Sequence, residues 1–330
     1  MKKISKILLV FVVAVFSIVS LTGCNKNKDN ENKLTIVTTN FPSYDFARAV
    51  VKDNKDVELK MLLKPGAESH DFEPTPQDII DIKNSDLFIY TGGESDEWIS
   101  DILDDIDTNK TKVIKMMDLV DVKEEEIVEG MEDEEHEEEE EHHEEEEEHH
   151  EEEEVEYDEH VWTSPVNAIK IVNALRDEVV SIDNDNKKVY EDSAKEYTDK
   201  LEKIDNEFKD IVKNAKRKEI IFGDRFPLRY FADEYNLKYY AAFPGCSAQT
   251  EASAKTISYL IDKVNKDKIP VVFHIELSNG KIAEAISKET GAKVLEFNTA
   301  HNISQKDFDA GVTYVDIMEE NTKVLKEALN

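Results

Sequence analysis

NKKVYEDSAKEYTDKLEKIDNEFKDIVKNA, residues 186–215, runs for thirty residues without proline or glycine. Tyr190, Ala194, Tyr197, Leu201, Ile204, Phe208 and Ile211 recur at three- and four-residue spacing. That period predicts a long amphipathic helix with one buried stripe. A coiled coil is the alternative, but the run is short and the stripe needs only the rest of the protein as its partner.

On both sides of this helix the pattern alternates between strand and helix. Before it, LTIVTT from Leu34 reads as a β-branched strand, NFPSYDFARAVVKD as a turn and helix, and VELKMLL as a second strand. A loop rich in Pro, Gly and acids follows, KPGAESHDFEPTP. Then come a helix with Ile79, Ile80 and Ile82, and the apolar strand LFIYTGG from Leu87. SPVNAIKIVNALRDEVVSIDNDN reads as a helix with Ser164 as N-cap and Pro165 in its first turn. After the long helix, EIIFGD, KYYAAF, IPVVFHIEL and AKVLEFNT read as strands separated by helical stretches, and YVDIMEENTKVLKEAL closes the chain as a helix. Strand–helix alternation predicts an α/β fold with parallel sheets. We therefore expect two lobes, each a mainly parallel sheet flanked by helices, joined by one long rigid helix. The boundaries read as 34–185, 186–216 and 217–330.

One stretch breaks the pattern. Residues 121–159 hold 26 acidic side chains, five histidines and one lysine, and supply 25 of the 34 net negative charges. The acidity is thus local and says little about the folded part. With almost no apolar content to offset the entropy of ordering, the stretch reads as a disordered insertion in the first lobe. His136, His142, His143, His149 and His150, interleaved with carboxylates, suit weak capture of divalent metal ions. An acidic solubility tail is the alternative, although it would not need five histidines.

The first 24 residues, MKKISKILLVFVVAVFSIVSLTGC, have a basic start at Lys2, Lys3 and Lys6 and an apolar run from Ile7 to Val19. This is a secretory signal, not part of the fold. LTGC resembles the bacterial lipoprotein signal, which implies removal of residues 1–23, lipidation of Cys24 and a polar tether over 24–33. The protein is then expected outside the cytoplasm, anchored to the cell membrane by acyl chains. The other cysteine, Cys246, would have no disulfide partner and reads as buried and structural.

Outside the tract the histidines are His70, His160, His274 and His301, each near a strand end or loop. In α/β lobes, ligands gather at the carboxyl ends of strands. Two or three imidazoles plus a carboxylate suit zinc, whereas an all-oxygen site would suggest Mg²⁺ or Ca²⁺. His274 and Glu276 alternate along a strand and so share a face. They read either as a pair orienting a ligand imidazole or as a satisfied core pair.

Several motifs together carry a family resemblance. SHDFEPTPQD, residues 69–78, resembles the first-ligand loop of the cluster A-I solute-binding proteins, the metal-binding lipoproteins of zinc and manganese ABC importers. DEHVWTSP, residues 158–165, resembles their second-ligand segment. The acidic His-rich insertion, the long helix, Ile275–Glu276 at a strand end and the YVDIMEEN helix also fit, so the resemblance covers nearly all of the mature chain. The second half departs from the pattern. FGDRFPLRYFA lacks the usual third histidine: an ungapped count back from Tyr230 lands on Arg225, which cannot bind a cation, and a one-residue shift reaches Asp224, which can. EFNTAHNIS lacks the usual Asp-Pro, and His301 is the nearest good ligand.

The resemblance implies a receptor that holds Zn²⁺ between its lobes through His70, His160, Asp224 and His301 and delivers it to an ABC permease with its ATPase. Mn²⁺ is the alternative cargo: histidine richness favours zinc, while Asp224 in place of histidine pulls towards manganese. The chain is expected to act as a monomer, without a nucleic-acid partner. An exported zinc hydrolase is a rival reading, but HExxH and a serine nucleophile elbow are absent. A surface adhesin with a structural metal is another rival; growth under zinc chelation separates it from a receptor.

Overall fold

The computed structural model describes residues 33–52, 54–68, 72–131, 156–247 and 251–330. Two four-stranded sheets organise them. The first holds β1 (Leu34–Thr38), β2 (Val57–Met61), β3 (Leu87–Tyr90) and β4 (Lys112–Lys115) in the order β2-β1-β3-β4. β1 pairs parallel with β3, Val37 opposite Phe88, and β3 parallel with β4, Ile89 opposite Ile114. The second holds β5 (Glu219–Arg225), β6 (Lys238–Phe243), β7 (Val271–His274) and β8 (Lys293–Glu296) in the order β6-β5-β7-β8. Its pairs are parallel too. The two orders are the same, second strand outermost and first strand beside the third. Each sheet therefore has a switch point, between β1 and β3 in one and between β5 and β7 in the other, where carboxyl ends open a crevice.

The helices form where the sequence supplies their starts. Helix α1 (Phe41–Val51) is capped by Asn40 in a reciprocal capping box with Ser43. Helix α2 (Pro76–Asn84) uses Thr75 and Asp78 in the same way. In α3 (Pro165–Ile182), Ser164 accepts from the Asn167 N–H and Pro165 sits at the first position, as its sequence predicts. Only Ile82 of the three α2 isoleucines is buried; Ile80 is half exposed. Val37, Leu62, Phe88 and Ile99 with Ile82 make the first core, and Ile221, Ala242, Leu260, Val272 and Ile286 the second.

The long helix α4 spans Lys187–Lys213, 27 residues, and buries the whole predicted stripe. One half faces the first lobe: the Tyr197 hydroxyl donates to Asp45 Oδ2 of α1 at 2.6 Å. The other half faces the second lobe, where Phe208 meets Phe231 edge-on at 4.9 Å, within α5 (Arg229–Glu234). Helix α8 (Tyr314–Ala328) makes a second link, after α6 (Ala254–Asp267) and α7 (Lys281–Thr290). The Tyr314 N–H donates to Asp45 Oδ2 at 2.8 Å, and its hydroxyl donates to the Trp162 carbonyl at 2.7 Å. Buried Asp45 is further paired with Arg48. Both lobes belong to one compact unit, Thr35–Asn330. No helix among the described residues is long and apolar enough to cross a membrane.

The ends of the acidic stretch are ordered where its composition predicts disorder. Glu124 and Tyr157 form an antiparallel bridge, and the Asp158 N–H donates to the Lys123 carbonyl at 3.0 Å. This short ribbon is fastened to the second lobe. Lys123 pairs with Asp233 at 2.7 Å, Glu126 accepts from Tyr239, and Glu125 Oε1 accepts from the Gly245 and Cys246 amides. Tertiary partners supply here what the segment's own composition lacks. The tract histidines, at 136, 142, 143, 149 and 150, lie outside the described residues, as do Cys24 and His70.

Candidate metal centre

The returning arm of that ribbon delivers Asp158, Glu159 and His160 into the crevice between the lobes, all essentially buried. The His160 backbone N–H donates to Asp158 Oδ1 at 2.7 Å, and ring Nδ1 lies 3.2 Å from the same oxygen. A carboxylate on Nδ1 favours the proton there, which would make Nε2 the nitrogen able to coordinate a metal. Burial lowers the His160 pKa, but the Asp158 carboxylate, with Glu159 and Glu125 behind it, outweighs that and holds it above its ordinary value.

Glu159 turns the other way, towards the first sheet. Its Oε2 accepts from the Ser95 N–H at 2.9 Å and its Oε1 from the Ser95 hydroxyl at 2.6 Å. Gly93 makes room for it: its φ is +81°, and a Cβ there would stand 2.5 Å from the Glu159 Cβ. Burial pushes the Glu159 carboxyl up. Nearby Glu94 is pushed up to about 7 by burial and by Glu156 and Glu159, and Asp96 to about 7 mainly by its near-complete burial. The raised values reflect poor solvation and mutual repulsion of neighbouring carboxylates, a strain that a divalent cation would relieve.

His301 arrives from the second lobe on the turn after β8. Glu276, just past the end of β7, builds that turn. Its Oε1 accepts from the Thr299 hydroxyl at 2.6 Å and the His301 N–H at 3.0 Å, and its Oε2 from the Thr299 N–H at 2.7 Å. Ala300 takes a positive φ of 60° to present both amides to one carboxylate. The His301 ring stands 5.0 Å from that of His160 at 84°, and Trp162 is 5.0 Å from His301 and 5.3 Å from His160. The indole is fully buried, and its N–H donates to the Thr299 carbonyl at 2.9 Å. Trp162 thus supports both imidazoles and ties the turn that carries one of them.

The ligand atoms of Glu159, His160 and His301 all lie within 4.8 Å of one another. Two imidazoles and a carboxylate are a donor set suited to zinc, with a fourth position for a further ligand. His160 and His301 are therefore brought together as the sequence reading expects. Asp224 is not in that cluster. Its Oδ1 accepts from the Arg225 N–H at 2.9 Å and its Oδ2 from the Ile275 N–H at 3.4 Å. Both oxygens serve the backbone at the ends of β5 and β7, and Gly223 before it packs against Ala283 so closely that a Cβ would meet backbone at 2.5 Å. His274 also stands apart from the cluster: its Nδ1 is 2.9 Å from the Ile275 carbonyl oxygen. Glu276 acts on the backbone of the His301 turn, a different role from orienting an imidazole ring.

Glu159 is the member that sequence reading misses, because it sits at the end of a run of acids. Its one signal is adjacency to His160 where apolar residues resume. A second cluster, Glu94, Glu156 and Cys246, lies at the root of the ribbon. Cys246 is buried, as expected, and burial pushes its thiol well up.

Comparison with known proteins bears on this site. The family model described as zinc-uptake complex component A, periplasmic (ZnuA), matches residues 36–328. The zinc-binding lipoprotein AdcA of Streptococcus pneumoniae is 35% identical over 332 residues, 99% of this chain and 61% of the relative. The chain thus spans about three-fifths of the length of that relative. The high-affinity zinc uptake system protein ZnuA of Bacillus subtilis is 35% identical over 322 residues, 96% of each chain. Among solved structures, the Zn(II)-bound ZnuA-like domain of S. pneumoniae AdcA superposes with a TM-score of 0.71 at 30% identity, covering 90% of this chain and 99% of that one.

Proposed function

The chain belongs to the zinc-uptake complex component A family, and from that premise we propose that it captures Zn²⁺ outside the cell and delivers it to an ABC permease. As a member of a family of uptake components it is a binding protein and not an enzyme. The observation that carries the reading is the convergence of Glu159, His160 and His301 within 4.8 Å, in a crevice walled by acids and by Trp162.

The proposed coordination joins His160 and Glu159, on the ribbon's returning arm, to His301 from the second lobe, with His70 as the fourth ligand from its sequence motif. Asp224 is better explained as a backbone acceptor. Three nitrogens and one oxygen favour Zn²⁺ over Mn²⁺, which prefers oxygen donors. Two elements that cross between the lobes, α4 and α8, resist wide opening. Loading should therefore proceed by small tilts and loop movements. The histidines of the acidic tract serve as weak, multivalent capture sites. Residues 1–23 act as the export signal, and acyl chains on Cys24 hold the protein at the outer face of the membrane.

The test is zinc affinity by competition with a chromogenic chelator for wild type and for the double variant His160→Ala/His301→Ala, with folding checked by circular dichroism. Tight binding should vanish in the folded variant. Near wild-type affinity would sink the site. Competition between Zn²⁺ and Mn²⁺ on the wild type decides the cargo.

A further inference from the structure

Arg225 ends β5 at the switch point of the second sheet and lines one crevice with His160, Glu276 and His301. A guanidinium carries only donors and stays charged, so it cannot ligate a cation. Both terminal nitrogens of its fork are engaged. Nη1 donates to the Ser247 carbonyl at 3.1 Å, and Nη2 donates to Glu68 Oε2 at 3.0 Å. Glu68 belongs to the first lobe, on the loop that follows β2. The Arg225 side chain is 16% exposed and that of Glu68 45%.

The same loop is fastened to the second lobe at three more points. Asn302 Nδ2 donates to the Lys64 carbonyl at 2.9 Å and to the Ala67 carbonyl at 2.8 Å, and the Gly66 N–H donates to the Ile303 carbonyl at 2.8 Å. Asn302 and Ile303 directly follow His301. On the other side, the Ser247 segment is held by Glu125 of the ribbon through the Gly245 and Cys246 amides. Arg225 therefore lies where the first-lobe loop, the ribbon-bound segment and the cleft wall meet.

We propose that Arg225 is a positioning residue of the metal cleft: its ion pair with Glu68 is a cross-lobe tie that holds the 64–68 loop against the His301 turn independently of the cargo. Every partner in the tie is a protein atom, so the tie does not require zinc. In a site whose lobes are bridged only by ligands, the metal itself must close the cleft. Here a guanidinium performs part of that work in advance and slows opening of the loaded cleft. The part concerning metal release rests on the function proposed above; the tie itself does not.

The experiment uses the full chain, metal-free and zinc-loaded. Amide exchange of Gly66, whose N–H crosses the seam, reports the tie without metal. Arg225→Gln and Glu68→Gln should each speed Gly66 exchange about two- to fivefold, the scale of a partly exposed ion pair. The double variant should add nothing further, Arg225→Lys should retain part of the protection, and Arg225→Glu/Glu68→Arg should restore most of it. Zinc release, followed by chelator trapping, should quicken by the same factor in each single variant. Unchanged Gly66 exchange in Arg225→Gln, or single effects that add in the double variant, would overturn the tie. If the wild type binds no zinc, the proposed function fails, while Gly66 exchange still decides the tie.

Discussion

Replacing Asp158 by Asn isolates what the carboxylate beside His160 contributes. The substitution is nearly isosteric. The remaining Oδ1 can still accept from the His160 backbone N–H and from ring Nδ1, at 2.7 and 3.2 Å in the native protein, so the fold and the imidazole orientation should persist. What disappears is one negative charge behind the coordinating ring. Adding the span of the ring and a Zn–N bond of about 2 Å puts Oδ1 about 7 Å from the metal position. The attraction of a unit charge for a dication at that distance lies between about 1 kcal/mol in bulk water and about 5 kcal/mol at an effective dielectric of about 20. Losing a carboxylate that orients a metal-bound histidine ordinarily costs about 10- to 100-fold in affinity, or about 1.4–2.7 kcal/mol, which falls inside those bounds. Zinc affinity at pH 7.5 should therefore drop by that factor. The pH dependence gives a second, independent sign. Asp158 also favours the proton on His160, since it works against burial to hold that pKa up. In the variant the proton competes less, so the gap between wild type and variant should narrow as pH falls from 7.5 to 5.5. Chelator competition across that range measures both. A wild-type affinity at pH 7.5, or a ratio that does not change with pH, would refute the reasoning.

Three further outcomes follow from the same contacts. Glu276→Ala removes the acceptor for two amides and a hydroxyl in the His301 turn; at about 1–3 kcal/mol for a buried unsatisfied donor, it should lower the unfolding free energy by about 2–5 kcal/mol in urea titrations and weaken zinc binding as well. Asp96 takes both its amide bonds on one oxygen, from Thr91 and Gly92, so Asp96→Asn can keep them while removing a buried charge. Because burial raises the folded-state pKa from 3.8 to about 7, the wild type keeps this group's stability below about pH 4 and loses it as pH rises through about 7. The variant should match the wild type at pH 4 and exceed it at pH 8, by at most about 4 kcal/mol at about 1.4 kcal/mol per pH unit, and equal pH profiles would contradict this. Deleting residues 132–155 while keeping the docked ribbon should leave one tight zinc site and remove only the weak ones in isothermal titration; loss of the tight site would mean that the tract belongs to it.

Much of the architecture is legible in the sequence because it depends on local periodicity. The stripe from Tyr190 to Ile211 and the Ser164–Pro165 start each announce a helix through residues a few positions apart. The short strand Lys112–Lys115 is not announced, since KVIK gives too few residues to establish a period. For the site, His160 is legible because ordered, apolar residues resume directly after it, and His301 because it is the good ligand next to a strand end. Glu159 is hidden among acids of the same type. Only the approach of Ser95 and the space left at Gly93 set it apart from them, and both lie more than sixty residues away along the chain.

By itself, the sequence determined that the chain forms two α/β lobes about a long helix, and that imidazoles stand near strand ends. Both follow from spacing and residue type. Tertiary structure alone decided where the carboxylates make their contacts: Asp224 with backbone amides, Glu276 with the His301 turn, Glu68 with Arg225, and Glu159 with Ser95 beside the imidazoles. A carboxylate has the same donors and acceptors wherever it occurs, so its role is set by which N–H groups and cations the fold brings within about 3 Å, and no local pattern encodes that.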